Sequence, residues 1–444
     1  MSLDIHIPSR VSATILKALS AGVVPRIGLE FIAVGRREEI ESILEDLENI
    51  KMGGAGFRFF IGRFGSGKSF LIQLIRNYAI QQDFVVCDVD LSPERRFMGG
   101  GEKGVATYRE LMKNLSTKTK PNGGALTAIL EKWISSIQSE VVATEIKPQD
   151  PSFSERVDKK ILDAVSNIKD LVHGFDFATV ISTYWHGHRT QDDSNKEAAL
   201  KWLRGEYPTK TEARNAIPGL SVIITDDNWY DYIKLMARFV TEIGYKGLLV
   251  FFDEAVNLYK ITHTASRVNN YEKLLTIYND TLQGKAEYLG VFVGGTPQFL
   301  EDKRRGLYSY QAFHSRLVGS RFMREGVQDF SGPVIKLERL TLEEIFVLLT
   351  KIMAIHEKYY SYKSSITDSE IQEFIKVMVS RIGANKLLTP REFVREFIFL
   401  LNLLRKQSDK KTFLEIISGE EFKPQEILNK DDEVKGTEYE EFQI

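Results

Sequence analysis

A single cysteine, Cys87, stands among the 444 residues, so the chain has no internal disulfide and no cysteine-built metal site available to it. A reducing, cytoplasmic setting suits such a composition. Runs of about 18 apolar residues, the length that crosses a bilayer, are also missing. The longest candidates, Gly247 to Phe252 and Phe397 to Leu404, have the length of a core strand and a core helix, so no membrane association is expected. The opening Met1-Ser2-Leu3-Asp4-Ile5-His6 lacks the basic stretch and apolar run of a secretory leader, and none is expected. There is no basic excess either, because 59 Lys and Arg face 61 Asp and Glu. Residues 420 to 444 hold nine acids and three lysines, net −6, which leaves +4 on the rest. That is too mild to mark nucleic-acid binding by itself. The acidic segment 419–444 reads as a disordered, solvated tail, with a partner-binding arm as the alternative.

What is present is a chain that is 43% hydrophobic, long enough for two or three domains of about 150 residues. Its organising stretch is Phe57-Arg58-Phe59-Phe60-Ile61 running into Gly62-Arg63-Phe64-Gly65-Ser66-Gly67-Lys68-Ser69 and on through Phe70 into a helical pattern. Strand, G-x-x-x-x-G-K-S and helix together make a phosphate-binding loop. Glycines let successive N–H groups face inward, Lys68 reaches the β- and γ-phosphates, and the Ser69 hydroxyl is offered to Mg²⁺. The helix that follows aims its positive dipole end at the same anion. ATP and Mg²⁺ are the expected cofactors. Phe84 to Asp90 then reads as a buried strand, and strand-loop-helix-strand implies a parallel sheet.

A second constellation supports the first. Gly247-Leu248-Leu249-Val250-Phe251-Phe252 is a buried strand that ends in Asp253-Glu254. Asp253 would hold Mg²⁺ through its hydration shell, and Glu254 would polarise the attacking water, which implies hydrolysis. Tyr288 to Val293 is a further strand leading to Gly294-Gly295-Thr296, and ligands bind beyond the carboxyl ends of such strands. Thr296 is therefore a candidate for orienting water or the γ-phosphate, against the plainer reading of a polar strand end. Basic residues Lys303, Arg304, Arg305, Arg316, Arg321 and Arg324 precede a fifth strand, Val334 to Leu337; Arg316 is the candidate among them for a catalytic role, against the plainer reading of solvated charges or phosphate contacts on nucleic acid. Past Thr341 and Glu344, spaced as a capping box, residues 341–418 read as a helical domain. In it Pro390 opens a helix with Arg391 on its first turn.

Between the second and third strands, about residues 92–230, the pattern is helical. One apolar stripe comprises Leu126, Ile129, Leu130, Trp133, Ile134 and Ile137. The glycine-rich stretch Gly99, Gly100, Gly101 and Gly104 is a surface loop or a contact loop for DNA or nucleotide. His186 and His188 near Asp192 and Asp193 lack an i, i+4 pair, so no metal cluster is expected there. Upstream, Val11 to Leu19 predicts a helix, and Phe31 to Val34 an extended piece that turns at Gly35 into the helix Glu38 to Leu47.

The segment Val34-Gly35-Arg36 with Glu39 resembles the V-G-R-x-x-E element that precedes the phosphate loop in AAA+ ATPases of the origin-recognition and STAND type. That resemblance implies that Val34, Gly35 and Arg36 lie near the adenine, that Thr296 is a sensor, that Arg316 is a finger toward a neighbouring subunit, and that Arg391 reaches the γ-phosphate from a lid. Further phrases are Gly22-Val23-Val24-Pro25-Arg26, Leu91-Ser92-Pro93-Glu94-Arg95-Arg96, Trp202-Leu203-Arg204-Gly205-Glu206 and Arg305-Gly306-Leu307-Tyr308-Ser309-Tyr310. Over about residues 8 to 405 the chain resembles the BREX-system ATP-binding proteins of bacteria, the BrxD-like phage-defence ATPases.

The expected fold is α/β: an AAA+ (ASCE) P-loop NTPase with a parallel five-stranded core sheet, a large helical insertion and a C-terminal helical lid domain. Its domains would be a core at 1–340, with the N-terminal helix and V-G-R element at 8–48 and the insertion at about 92–230, then a lid at 341–418 and the tail. The resemblance implies a cytoplasmic ATPase that remodels a DNA-bound or protein partner. Its partners would be other defence proteins such as helicase or methyltransferase components, DNA, and further copies of itself. The alternative is a slow, STAND-like nucleotide-gated assembly switch. A small-substrate kinase is disfavoured by Asp253-Glu254.

Overall fold

The computed structural model describes residues 7–144, 149–169, 172–317, 330–381, 389–406 and 413–419. Arg321, Arg324 and the acidic residues from 420 onward lie outside them. By contact the chain divides into two units, residues 36–339 and residues 1–35 with 340–444.

In the first unit, strands β1 (Ala55–Ile61), β2 (Val85–Asp90), β3 (Leu248–Asp253), β4 (Leu289–Gly295) and β5 (Val334–Lys336) form a five-stranded sheet in the order β2-β3-β4-β1-β5, and every pairing is parallel. Parallel sheets are covered on both faces, so their strands are apolar almost throughout. Successive side chains point to opposite faces. Phe57, Phe59, Ile61, Val85, Cys87, Val89, Val250 and Phe252 enter one core with the helices that lie between β2 and β3 in the chain. Phe60, Val86, Leu249, Phe251 and Phe292 enter the other with residues of α2 (Arg37–Lys51) and α3 (Lys68–Gln81). Between β2 and β3 lie Lys103–Lys113, Leu126–Val142, Phe153–Lys169, Gly174–Thr190, Asp193–Leu203, Lys210–Ala216 and Trp229–Thr241. The glycine-rich loop is anchored at both ends. Asp226 accepts from the Gly99 and Val105 amides at 3.0 and 2.9 Å, and Asn270 Oδ1 accepts from Phe97 and Met98 at 2.9 and 3.0 Å. His188 pairs with Glu131 at 3.2 Å.

In the second unit, α1 (Ser9–Ser20) packs on the helices Leu342–Tyr360 and Pro390–Lys406. That packing is why residues 1–35, grouped with the core in the sequence reading, fall with the C-terminal helices. Thr341 and Glu344 form the reciprocal capping box expected of them. Phe31 to Val34 is not a strand. Gly28, at φ +79°, turns the chain into a 3-10 helix, Leu29–Phe31, after which Ile32 turns and Ala33 and Val34 run without regular structure to a bend at Gly35, φ +67°.

Candidate functional site

The loop after β1 is built by close approach. Gly62 has no room for a side chain, because a Cβ there would lie 2.2 Å from Ser66 Oγ and 2.8 Å from the Leu337 carbonyl. Gly67 has open space around it but a φ of +91°, a left-handed conformation that L side chains rarely adopt. It stands at the N-cap of α3, whose first amides have no carbonyl one turn behind them to bind. Arg63 and Phe64 are exposed at the loop tip, and Ser66 is buried with its hydroxyl lacking a hydrogen-bond partner among the described residues. Phe70 is half-buried on the first turn of α3. The Lys68 ammonium folds back over the loop and donates to the carbonyls of Gly62 at 2.8 Å and Arg63 at 3.1 Å. Burial lowers its pKa, against the opposing charges of Asp253 and Glu254.

Those two carboxylates reach the loop because of strand order. β4 stands between β1 and β3, and its last carbonyls bind both neighbours: Gly295 accepts from Gly62 at 3.1 Å, and Gly294 accepts from Ala255 at 2.9 Å. A Cβ on Gly294 would lie 2.5 Å from Asp253 Oδ1, so this glycine opens the path over β4. Along that path Ser69 Oγ donates to Asp253 Oδ2 at 2.6 Å, while Asp253 Oδ1 accepts from the Glu254 amide at 2.8 Å. A hydroxyl and a carboxylate held together in this way are hard oxygen donors suited to Mg²⁺. With the helix-start amides and Lys68 alongside, the residues fit a Mg²⁺–nucleotide.

Glu254 has φ +57°, an uncommon backbone for a residue with a side chain, of the kind that concentrates at functional sites. Although open to solvent, its carboxyl is held above the usual range, first by the protein around it and then by the charges of Asp253 and Asp90, with Lys68 opposing. Asn257 Nδ2 donates to the Leu91 carbonyl at 2.8 Å and to that of Glu254 at 3.3 Å, tying this turn to the end of β2.

Asp90 was not singled out in the sequence. It ends β2 opposite Asp253, and burial followed by the Asp253 charge raises its pKa. The signal was available, since Val89-Asp90 ends its strand as Phe252-Asp253 does. Asn257 had no comparable signal.

Arg36 sits behind the loop, buried. Its Nη1 donates to Glu39 Oε1 at 2.9 Å, and its Nη2 donates to the Ser66 carbonyl at 2.9 Å and also to that of Glu338. The Thr296 hydroxyl accepts from the Phe299 amide at 3.3 Å, capping the short helix Pro297–Glu301. Arg316, on the helix Gln311–Leu317, donates to the Ala312 carbonyl of its own helix at 2.7 Å. Val34, Gly35 and Arg391 belong to the other unit, where Arg391 Cδ would lie 3.5 Å from a Cβ on Gly22.

No helix among the described residues is long and apolar enough to cross a membrane. No curated protein matches the chain. One family model does: BREX system ATP-binding protein BrxC/D, over residues 7–418.

Proposed function

The chain belongs to the BREX system ATP-binding protein family BrxC/D, and on that premise we propose that it is a Mg²⁺-dependent ATP hydrolase of a phage-defence system. The observation that carries this reading is the 2.6 Å contact of Ser69 with Asp253, made across β4 and directly beside Glu254 and Lys68. ATP would lie along the loop, with its phosphates on the amides at the start of α3 and on Lys68, which exchanges the Gly62 and Arg63 carbonyls for phosphate oxygens. Ser69 and Asp253 would hold Mg²⁺, Asp253 through water. The bound ion supplies neutralisation of charge on the phosphate oxygens. Glu254, fixed by its turn, accepts a proton from the water that attacks the terminal phosphate. Strand order with β4 between the loop strand and the acid strand supports an AAA+ core. In that frame Thr296 orients the water, Arg316 serves a neighbouring copy in an oligomer, and the unit carrying Arg391 acts as the lid. Hydrolysis would drive remodelling of a DNA-bound or protein partner.

Phosphate release measured with Mg²⁺ or EDTA, with and without duplex DNA, tests the proposal. Turnover that EDTA and Lys68→Ala each abolish is expected. ATP binding without Mg²⁺-dependent turnover, accompanied by assembly, would support a nucleotide-gated switch instead.

A further inference from the structure

Arg36 is a buried cation, and one of its hydrogen bonds goes to the phosphate loop itself. The Ser66 carbonyl that it holds belongs to the peptide leading into Gly67. In a planar trans peptide the C=O and N–H point in opposite directions. Drawing the Ser66 carbonyl toward the guanidinium therefore turns the Gly67 N–H the other way, free for an anion at the start of α3. This peptide needs an anchor, because Ser66 lies between Gly65 at φ +76° and Gly67 at φ +91°, and glycine peptides rotate more readily than any others. Rotation would present a carbonyl oxygen to the phosphate in place of an N–H.

The anchor is itself fixed from two sides. Glu39, on the first turn of α2, orients Nη1, and Nη2 is shared between Ser66 and the Glu338 carbonyl beyond β5. The chain beyond β5 is registered to the loop strand, since the Leu337 amide donates to the Ile61 carbonyl at 2.7 Å. Planar guanidinium geometry permits this arrangement, which a single ammonium could not reproduce.

We propose that Arg36 is a positioning residue for phosphate binding: it sets the orientation of the Ser66–Gly67 peptide and does not touch the nucleotide base. The inference rests on the ATP-binding reading of the loop. It differs from a base contact in a measurable way, because a residue acting through the loop backbone affects any polyphosphate equally, whereas one touching the adenine affects only ATP.

The test compares affinities for ATP and for inorganic tripolyphosphate, by calorimetry on the full chain, in wild type, Arg36→Lys and Arg36→Ala. Losing a charged hydrogen bond of this kind is expected to weaken both ligands by the same factor, about tenfold to a hundredfold, with Arg36→Lys the milder because it keeps the positive charge on a single donor nitrogen. Arg58→Lys serves as the stability control. The buried Arg58 pairs with the half-buried Asp46 of α2 at 2.6 Å, and this variant should lower the melting temperature without changing either affinity. Should Arg36→Ala fail to fold, Arg36→Lys and Glu39→Gln carry the comparison. Three results overturn the inference: a loss for ATP without a loss for tripolyphosphate, unchanged affinity in a folded Arg36 variant, or an equal affinity loss in Arg58→Lys. Wild type that binds neither ligand would instead overturn the ATP reading itself.

Discussion

Replacing Glu254 by Gln separates the proposed chemistry from fold and binding. The Glu254 carboxylate is the proposed proton acceptor at this turn, and amide nitrogen and oxygen fill nearly the same volume without that capacity. General-base catalysis of this kind is worth about 10² to 10⁴ in rate, or about 3–5 kcal/mol of barrier, so steady-state phosphate release should fall by that factor. ATP affinity should hold or tighten, because one negative charge leaves the neighbourhood of a polyanion. Stability carries a sign of its own. A carboxyl whose folded pKa is raised contributes most while protonated, and that contribution is lost as pH rises through the folded pKa, so at neutral pH the ionised Glu254 opposes folding. The Gln variant should therefore melt no lower than wild type. Release measured with a coupled phosphate assay, binding by calorimetry and melting by circular dichroism decide the matter. A Glu254→Gln enzyme turning over within threefold of wild type would refute the reasoning outright.

Gly294→Ala places a Cβ 2.5 Å from Asp253 Oδ1, so the carboxylate must shift. Misplacement on that scale is expected to cost turnover about 10²-fold, with ATP affinity in EDTA unchanged, as calorimetry would show. Gly67→Ala meets no atom within 4 Å but must hold φ +91°. That strain is about 1–2 kcal/mol, readable as a lower melting temperature together with weaker ATP binding. His356, on Leu342–Tyr360, is buried, with Nδ1 2.8 Å from the Tyr362 hydroxyl and Nε2 3.3 Å from Asn402 Oδ1. Burial lowers its pKa below the ordinary value, a shift that the Asn402 bond opposes and the Arg405 charge reinforces. The unfolded chain then binds the proton first, so stability is present above the ordinary histidine pKa of about 6.5 and falls as the solution is acidified below it. His356→Gln should flatten that slope in urea titrations across the same window.

The residues legible from sequence are those whose chemistry is local. Gly62 to Ser69 announces itself because the turn, its glycines and the helix start are contiguous, and Asp253-Glu254 does so because an apolar strand of full length ends there. Parallel strands buried on both faces read as apolar runs, which made β1 to β5 visible. The same rule failed at Phe31 to Val34, a short apolar run between two glycines of positive φ, Gly28 and Gly35: Phe31 closes a 3-10 helix, Leu29–Phe31, and Ile32 to Val34 form no strand. What sequence could not convey is everything that depends on strand order. Ser69 and Asp253 are 184 residues apart and 2.6 Å apart in space, and nothing local to either says that a strand lies between them. The one hint is in that intervening strand. β4 ends Gly294-Gly295, and two glycines at the end of a buried strand make physical sense only if something passes close over them. Arg36 shows the converse. The resemblance places it near the adenine, and its three bonds to Glu39, Ser66 and Glu338, which no local pattern announces, are set by where α2, the loop and the end of β5 meet. A motif of this kind tells which atoms face the phosphate, but what holds them there is decided by the register of strands far along the chain.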